Sequence, residues 1–442
     1  MERKIIAGFD REQIDLHHQH PASVVVTTST FPVDADDPVP RFVLDQVTQM
    51  AALDPNLRFY VLIPHHSYSD PIDDVIEHST HTEIRYHYFW PRSSQRLAGR
   101  GILPALRSNP LRYALIPFFM LAQRRALRRL CQTCDAKMIY AHWYMPQGVV
   151  AQHVAKQLGI GLMFTTHASD VSVLARVPLA KRLIAAGLRQ ANCFTAVSKR
   201  TAHRLITFFS ADEWHNQYAD KLHIIPMGTD SAPNIPTAPT IASEMESMGI
   251  DPDQRYILSL GRLSAKKGLR YLIDAYHKLP EALRSTVQLV IAGDGELAPQ
   301  LKQQVVDLNL EARVRFTGFV QGEQKRRLLA SAAVFALPSI IDDSGDSEGL
   351  PVALMEALAA GRMVIATDVS GAEEVLTDDC GVLVPQRSAA ELATALQSSL
   401  SLSNELRAAQ QQQARDLARQ FKWPDVAERH LRLIHATLAA NQ

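Results

Sequence analysis

The chain has only four cysteines in 442 residues, Cys131, Cys134, Cys193 and Cys380. They are too few and too scattered for a disulfide framework, and a reducing compartment fits that usage. Cys131 and Cys134 form a C-x-x-C, yet no second pair or histidine cluster completes a zinc site, so chance spacing is the plainer reading. Charge of one sign is not in excess either. Lys+Arg and Asp+Glu number 46 each, which removes a global attraction to nucleic acid, and no nucleic-acid recognition motif is present. No run reaches the roughly 18 apolar residues that span a bilayer. The opening MERKIIAGFDREQIDLHHQH mixes acids with bases and lacks the apolar core of a signal peptide, so the cytoplasm is the expected location.

What is present is a chain of globular composition, 46% hydrophobic and 21% charged, long enough for two cores of about 200 residues. Short β-branched runs recur at Ser23–Thr27, Phe59–Ile63, Met138–Tyr140, Leu162–Thr166 and Cys193–Val197, separated by stretches of helical spacing. After the Pro-rich passage Ser231–Thr240 the alternation restarts with Tyr256–Leu260, Val287–Ala292, Val314–Thr317, Val334–Pro338 and Val364–Thr367. This predicts a parallel α/β fold of two Rossmann-like lobes, 21–220 and 221–423, with a terminal helix over 424–442 packing back on the first. Ligands in such sheets sit beyond the carboxyl ends of the strands, so two lobes facing one another would line a central cleft with strand-to-helix loops.

The most informative of those loops precedes EGLPVALMEALAAG, Glu348–Gly361. Pro351 suits a helix start and Gly361 a helix stop, and the backbone N–H groups of Gly349 and Leu350 would cradle a phosphate beside Glu348. Glu356 is the one ionisable residue of that helix. It either meets sugar or ribose hydroxyls, because a buried carboxylate needs donors, or simply faces solvent. Arg262 and Lys267 flank the loop after Tyr256–Leu260, where they either neutralise a diphosphate or are solvated. Asp294 in Gly293-Asp294-Gly295 reads as turn chemistry.

Glu348 and Glu356 with seven residues between them, Gly261-Arg262-Leu263 leading to Lys267-Gly268, Ile225–Asp230 (IPMGTD) and Ser370–Glu374 (SGAEE) resemble the signature set of family 4 glycosyltransferases, which have the GT-B fold. The resemblance covers nearly all of the second lobe. It implies a retaining, metal-independent transfer of a sugar from a nucleotide diphosphate donor to a glycan or lipid-linked acceptor, with no cofactor. It further implies that Arg262 and Lys267 bind the diphosphate and Glu356 the ribose. Glu348 would contact the sugar, Gly349 and Leu350 would bind through their backbone, and Glu374 would fix a loop. In the first lobe Thr165–Asp170 (TTHASD) is similar to the family's His-Gly-x-Asp segment, with Ala168 in place of the glycine. That likeness gives His167 a catalytic hydrogen bond and brings Asp170 into the site; the alternative for His167 is a satisfied core histidine. Trp143 and Tyr144 either stack on a sugar or pack in the core. A sugar-nucleotide epimerase of the same fold and a non-catalytic nucleotide-sugar-binding subunit are the rival functions.

Two further absences matter. The loop Thr28–Arg41 (TSTFPVDADDPVPR) has no glycine, which disfavours close backbone approach to a phosphate there. Asp36-Asp37 and Asp342-Asp343 read as turns rather than metal ligands. Between Glu83 and Asp135 no acid occurs, while ten arginines do: Arg85, Arg92, Arg96, Arg100, Arg107, Arg112, Arg124, Arg125, Arg128 and Arg129. With the apolar block Tyr113–Ala122 (YALIPFFMLA) inside it, 84–134 is expected either to contact an anionic membrane peripherally, on its cytoplasmic face, or to form a buried helix with a solvated basic face.

Overall fold

The computed structural model of the protein describes residues 22–441 apart from 35, 36, 38, 68–72, 100, 168, 169, 172, 173, 175–179, 230–237 and 344. Asp36, Arg100, Ala168, Ser169, Asp230 and most of the Pro-rich passage from Ser231 lie outside the described residues, as does the chain before 22. The chain divides into two compact units, one comprising 1–228 and 423–442, the other 229–422. Each is a twisted sheet of short apolar strands alternating with helices, as the strand runs predict.

In the first unit the strands are β1 (Ala22–Thr27), β2 (Leu57–Pro64), β3 (Val75–Glu77), β4 (His81–Tyr86), β5 (Ala136–His142), β6 (Gly161–Thr166), β7 (Cys193–Ala196) and β8 (Leu222–Ile224). They are ordered β3-β4-β2-β1-β5-β6-β7-β8 and all pairs are parallel except β3 with β4. The central strands are near-continuous β-branched or aromatic runs because both faces are covered. One face packs on helix Ile116–Thr133 and its neighbours. On the other, Val43, Val47 and Met50 of helix Phe42–Leu53 join Ala427, Leu431, Ile434 and Leu438 of helix Trp423–Ala439. The terminal helix is therefore built into the core of the first unit. The sequence boundary at 220 falls short, because β8 beyond it adds a parallel strand next to β7 and the unit continues to Gly228. β3 and β4 escaped the sequence reading. His81–Tyr86 (HTEIRY) is polar, yet all six residues are buried because ionisable side chains pair with one another there.

In the second unit β9 (Arg255–Leu260), β10 (Val287–Ala292), β11 (Val314–Gly318), β12 (Val334–Leu337), β13 (Val364–Thr367) and β14 (Gly381–Val384) form a wholly parallel sheet ordered β11-β10-β9-β12-β13-β14. Chain order reverses between β9 and β12, the switch point at which open α/β sheets leave room for a ligand beyond the strand ends.

Candidate active site

The loops leaving β9, β12 and β13 carry the predicted residues of the second unit. After β12 the chain turns through Ile340–Leu350 into helix Val352–Ala359. Pro351 is extended at the N-cap, one position earlier than the sequence suggests, so Gly349 and Leu350 lie in the turn before the helix. Gly371, with φ of +79°, fits against that turn: a side chain there would drive a β-carbon into the carbonyl oxygen of Gly349. The short 3-10 turn Ala372–Glu374 follows directly and places half-buried Glu374 beside this stretch in the chain.

Glu348 is the electrostatic centre of the cluster. Lys267 Nζ lies 3.4 Å from its Oε2, and Lys266 Nζ lies 3.6 Å from its Oε1 and 3.6 Å from Asp346 Oδ2. Burial of Glu348 favours the protonated acid, but the two ammonium groups outweigh it and hold the carboxyl at about 2. Lys266 is reciprocally raised by Glu348. The Lys266 carbonyl also accepts from Ile340 N at 2.8 Å, which ties the loop after β9 to the loop after β12. Arg262 stands further out, 48% exposed, with Nη2 3.3 Å from Glu296 Oε2. The structure thus brings Lys267 and Glu348 into contact, while Arg262 is paired with a different acid.

Glu356 is neither buried alone nor free in solvent. Lys325, from helix Gly322–Ser331, donates Nζ to its Oε1 at 2.6 Å. Neither Lys325 nor Asp346 carried a sequence signal. Asp294 accepts from Gly295 N at 2.8 Å, the expected turn. Asp37 caps Val33 N and Val39 N, and Asp342 caps Asp346 N, so these two are turn acceptors, while exposed Asp343 lies 3.5 Å from Arg387 Nη2.

In the first unit His167 follows β6 and sits among aromatic rings, 4.5 Å from Trp143 and 5.4 Å from Phe42 between centroids. Its carbonyl accepts from Asp170 N at 2.9 Å. The Asp170 carboxylate in turn accepts from Tyr144 N at 2.7 Å and Val171 N at 3.0 Å. Burial raises Asp170, opposed by those amides, to about 7. Asp170 is therefore a bracket between the loops after β5 and β6. Tyr144 is a core residue: its hydroxyl donates to Leu183 O at 2.6 Å, which leaves no face for a sugar. Cys131 and Cys134 are buried free thiols, and burial pushes Cys134 up to about 12.

Across 84–134, helix Ile116–Thr133 buries Phe119, Ala122, Gln123, Ala126, Leu127 and Leu130 and turns Phe118, Leu121, Arg124, Arg125, Arg128 and Arg129 outward. Trp90, 71% exposed, and Leu111, 83% exposed, are further large apolar side chains facing out in the same stretch. No described helix is long and apolar enough to cross a membrane.

Two α/β units with mostly parallel sheets, the second with a lysine-bracketed glutamate at its switch point, define the class: a protein of the GT-B fold. Sequence and fold comparisons agree. Residues 241–417 match the family described as Glycosyl transferases group 1 and residues 72–232 match Glycosyltransferase Family 4, and the chain belongs to this glycosyltransferase family. The Erwinia amylovora amylovoran biosynthesis glycosyltransferase AmsK is 40% identical over 141 residues, 32% of this chain and 34% of that protein. The matched stretch thus spans about a third of that relative. Sucrose-phosphate synthase from Thermosynechococcus elongatus superposes with a TM-score of 0.70 at 20% identity, over 95% of this chain and 100% of that one. Anabaena HepE in complex with UDP and glucose gives 0.65 at 17% identity, over 94% of this chain and 100% of that one.

Proposed function

We propose that this chain is a retaining hexosyltransferase that moves a sugar from a nucleotide diphosphate to a glycan or lipid-linked acceptor in bacterial polysaccharide or glycolipid synthesis. The observation that carries the reading is Glu348 held ionised between Lys266 and Lys267 at the switch point of the second sheet. An ionised carboxylate beside ammonium groups suits a donor whose anomeric carbon becomes cationic as its diphosphate becomes more anionic. The polysaccharide assignment draws on the name of AmsK, and the nucleotide diphosphate on the UDP of HepE.

In this mechanism the acceptor hydroxyl oxygen bonds to the anomeric carbon on the face from which the diphosphate departs. The carbon–oxygen bond to phosphate breaks with its electron pair going to the phosphate oxygen, and that oxygen takes the hydroxyl proton. Arg262 and Lys267 neutralise the leaving group without a metal ion or other cofactor, Gly349 and Leu350 bind through their backbone, and Glu356 holds the ribose. His167 hydrogen-bonds the sugar, Asp170 fixes its loop and Glu374 the loop beside Gly349. The enzyme works in the cytoplasm, with the outward Phe118, Leu121 and arginine face of Ile116–Thr133 resting on an anionic membrane.

The test is incubation with UDP-, GDP- and ADP-sugars and a lipid-extract or oligosaccharide acceptor pool. Release of free nucleoside diphosphate, abolished in Glu348→Ala and Arg262→Ala, is expected. Conversion of the donor to its epimer, or binding without turnover, would overturn the reading in favour of an epimerase or a binding subunit.

A further inference from the structure

His142 is the last residue of β5 and is fully buried, whereas His167 lies just beyond β6. The register pairs His142 with Thr165, so His167 falls two residues on, over the same face of the sheet. The rings approach at 5.6 Å between centroids, and His142 Nδ1 lies 3.4 Å from His167 Nε2. Beneath them a buried relay fixes the strand ends: Gln46 Nε2 donates to the Tyr140 hydroxyl at 3.1 Å, which meets Thr165 Oγ1 at 2.7 Å, which meets Thr195 Oγ1 at 2.6 Å. Above them Trp143 adopts φ of +64°, a conformation unfavourable for a non-glycine residue that the fold here maintains. That turn sets the Trp143 ring against His167.

Both imidazoles are neutral at pH 7. Burial drives His142 well below its ordinary value and His167 to about 3, with neighbouring histidines adding to each effect. Each ring therefore carries one proton, and of the two nitrogens in contact one donates and the other accepts. The far nitrogen of His142, Nε2, is buried without a hydrogen-bond partner. A buried N–H left unpaired is rarer in proteins than an unpaired acceptor, so the His142 proton belongs on Nδ1 and the lone pair on Nε2. His142 Nδ1–H then donates to His167 Nε2, which leaves the His167 proton on Nδ1. Among the described residues that Nδ1 has no partner.

We propose that His142 is a positioning residue that locks His167 as its Nδ1–H tautomer, so that His167 offers the sugar a hydrogen-bond donor and not a base. This rests on the glycosyltransferase reading for its consequence, but the tautomer itself does not depend on activity. A ring fixed in this way donates to a sugar hydroxyl or to charge developing on an oxygen, and it takes no proton from the acceptor. That agrees with proton transfer to the departing phosphate.

The experiment uses the full chain labelled with 15N at the histidine rings and reads each tautomer from long-range proton–nitrogen correlations, with His167→Gln supplying the assignment. Wild type is expected to show His167 protonated at Nδ1. His142→Phe, which keeps the ring and removes the donor, is expected to give a mixture of tautomers and to lower kcat about tenfold or more with donor KM within about threefold. His142→Asn, whose amide N–H sits near the lost Nδ1–H, is expected to restore the tautomer and most of the turnover, and it serves in place of His142→Phe if that variant does not fold. Protonation of His167 at Nε2 in wild type, or an unchanged Nδ1–H tautomer in His142→Phe, overturns the proposal. Unchanged turnover in His167→Gln with the wild-type tautomer as stated would instead overturn the catalytic reading of His167.

Discussion

Lys325 Nζ lies 2.6 Å from Glu356 Oε1, an ion pair that joins two helices of the second unit and satisfies the one carboxylate in the helix after Pro351. Both partners are largely buried, so the pair is worth more intact than either half alone. Lys325→Met is expected to lower the stability of the protein by about 1–3 kcal/mol by leaving Glu356 short of donors. A nucleoside diphosphate whose ribose hydroxyls reach Glu356 would replace the missing partner. Thermal melts with and without UDP or GDP should therefore show a larger ligand-induced rise in Tm for Lys325→Met than for wild type. An equal rise in both would remove Glu356 from the ribose site.

Glu348→Gln separates binding from chemistry. The substitution keeps shape but frees Lys266 and Lys267 from a carboxylate, so the nucleoside diphosphate should bind at least as tightly as to wild type in calorimetry. Turnover is expected to fall by about 100-fold or more because charge at the anomeric carbon is no longer balanced. Turnover within a few fold of wild type would show that the carboxylate has no part in the reaction. The native carboxyl is held at about 2, below its ordinary 4.5, so the stability it contributes is complete above pH 4.5 and disappears as pH falls from there toward 2.

His142 and His430 are both fully buried in the first unit, and burial lowers both, His430 to about 4. Their unfolded value is the ordinary 6.5, so between 6.5 and about 4 the unfolded chain binds protons that the folded chain does not. Stability is complete above pH 6.5 and lost as pH falls below it, by at most about 1.4 kcal/mol per pH unit for each group. Urea unfolding at a series of pH values, followed in wild type and in His430→Phe, should show a shallower acid slope in the variant. Identical slopes would mean that His430 does not titrate on unfolding in that range.

The outward face of Ile116–Thr133 predicts binding to vesicles containing phosphatidylglycerol and not to vesicles of phosphatidylcholine alone. Phe118→Glu with Leu121→Glu, on an exposed surface, should leave melting within about 1 °C of wild type because such positions carry little stability. Flotation with the anionic vesicles should drop about tenfold, and raised salt should weaken it in wild type. Flotation unaffected by the double variant would assign the basic face to solvent.

The strands of β-branched residues were legible because a buried parallel strand needs apolar side chains on both faces, whatever the rest of the fold does. The helix start at Pro351 and its stop at Gly361 were legible for an equally local reason, the backbone requirements of helix ends. β4 was not, because HTEIRY reads as a polar run, and whether its Glu83 and Arg85 are buried against each other is decided by the elements packed around the strand rather than by its own pattern. The boundary near 220 slipped because three residues of β8 are too few to register as a strand alone.

The sequence by itself therefore determined the two parallel α/β units and the presence of charged residues in the loops after β9 and β12, where the proposed donor would bind. Tertiary structure decided which charge meets which. Lys325 reaches Glu356 across 31 positions, and His142 reaches His167 across 25. The physical reason is range: strand and helix formation depend on neighbours a few residues away, whereas the ionisation and tautomer of a side chain depend on whatever the folded backbone carries into its reach.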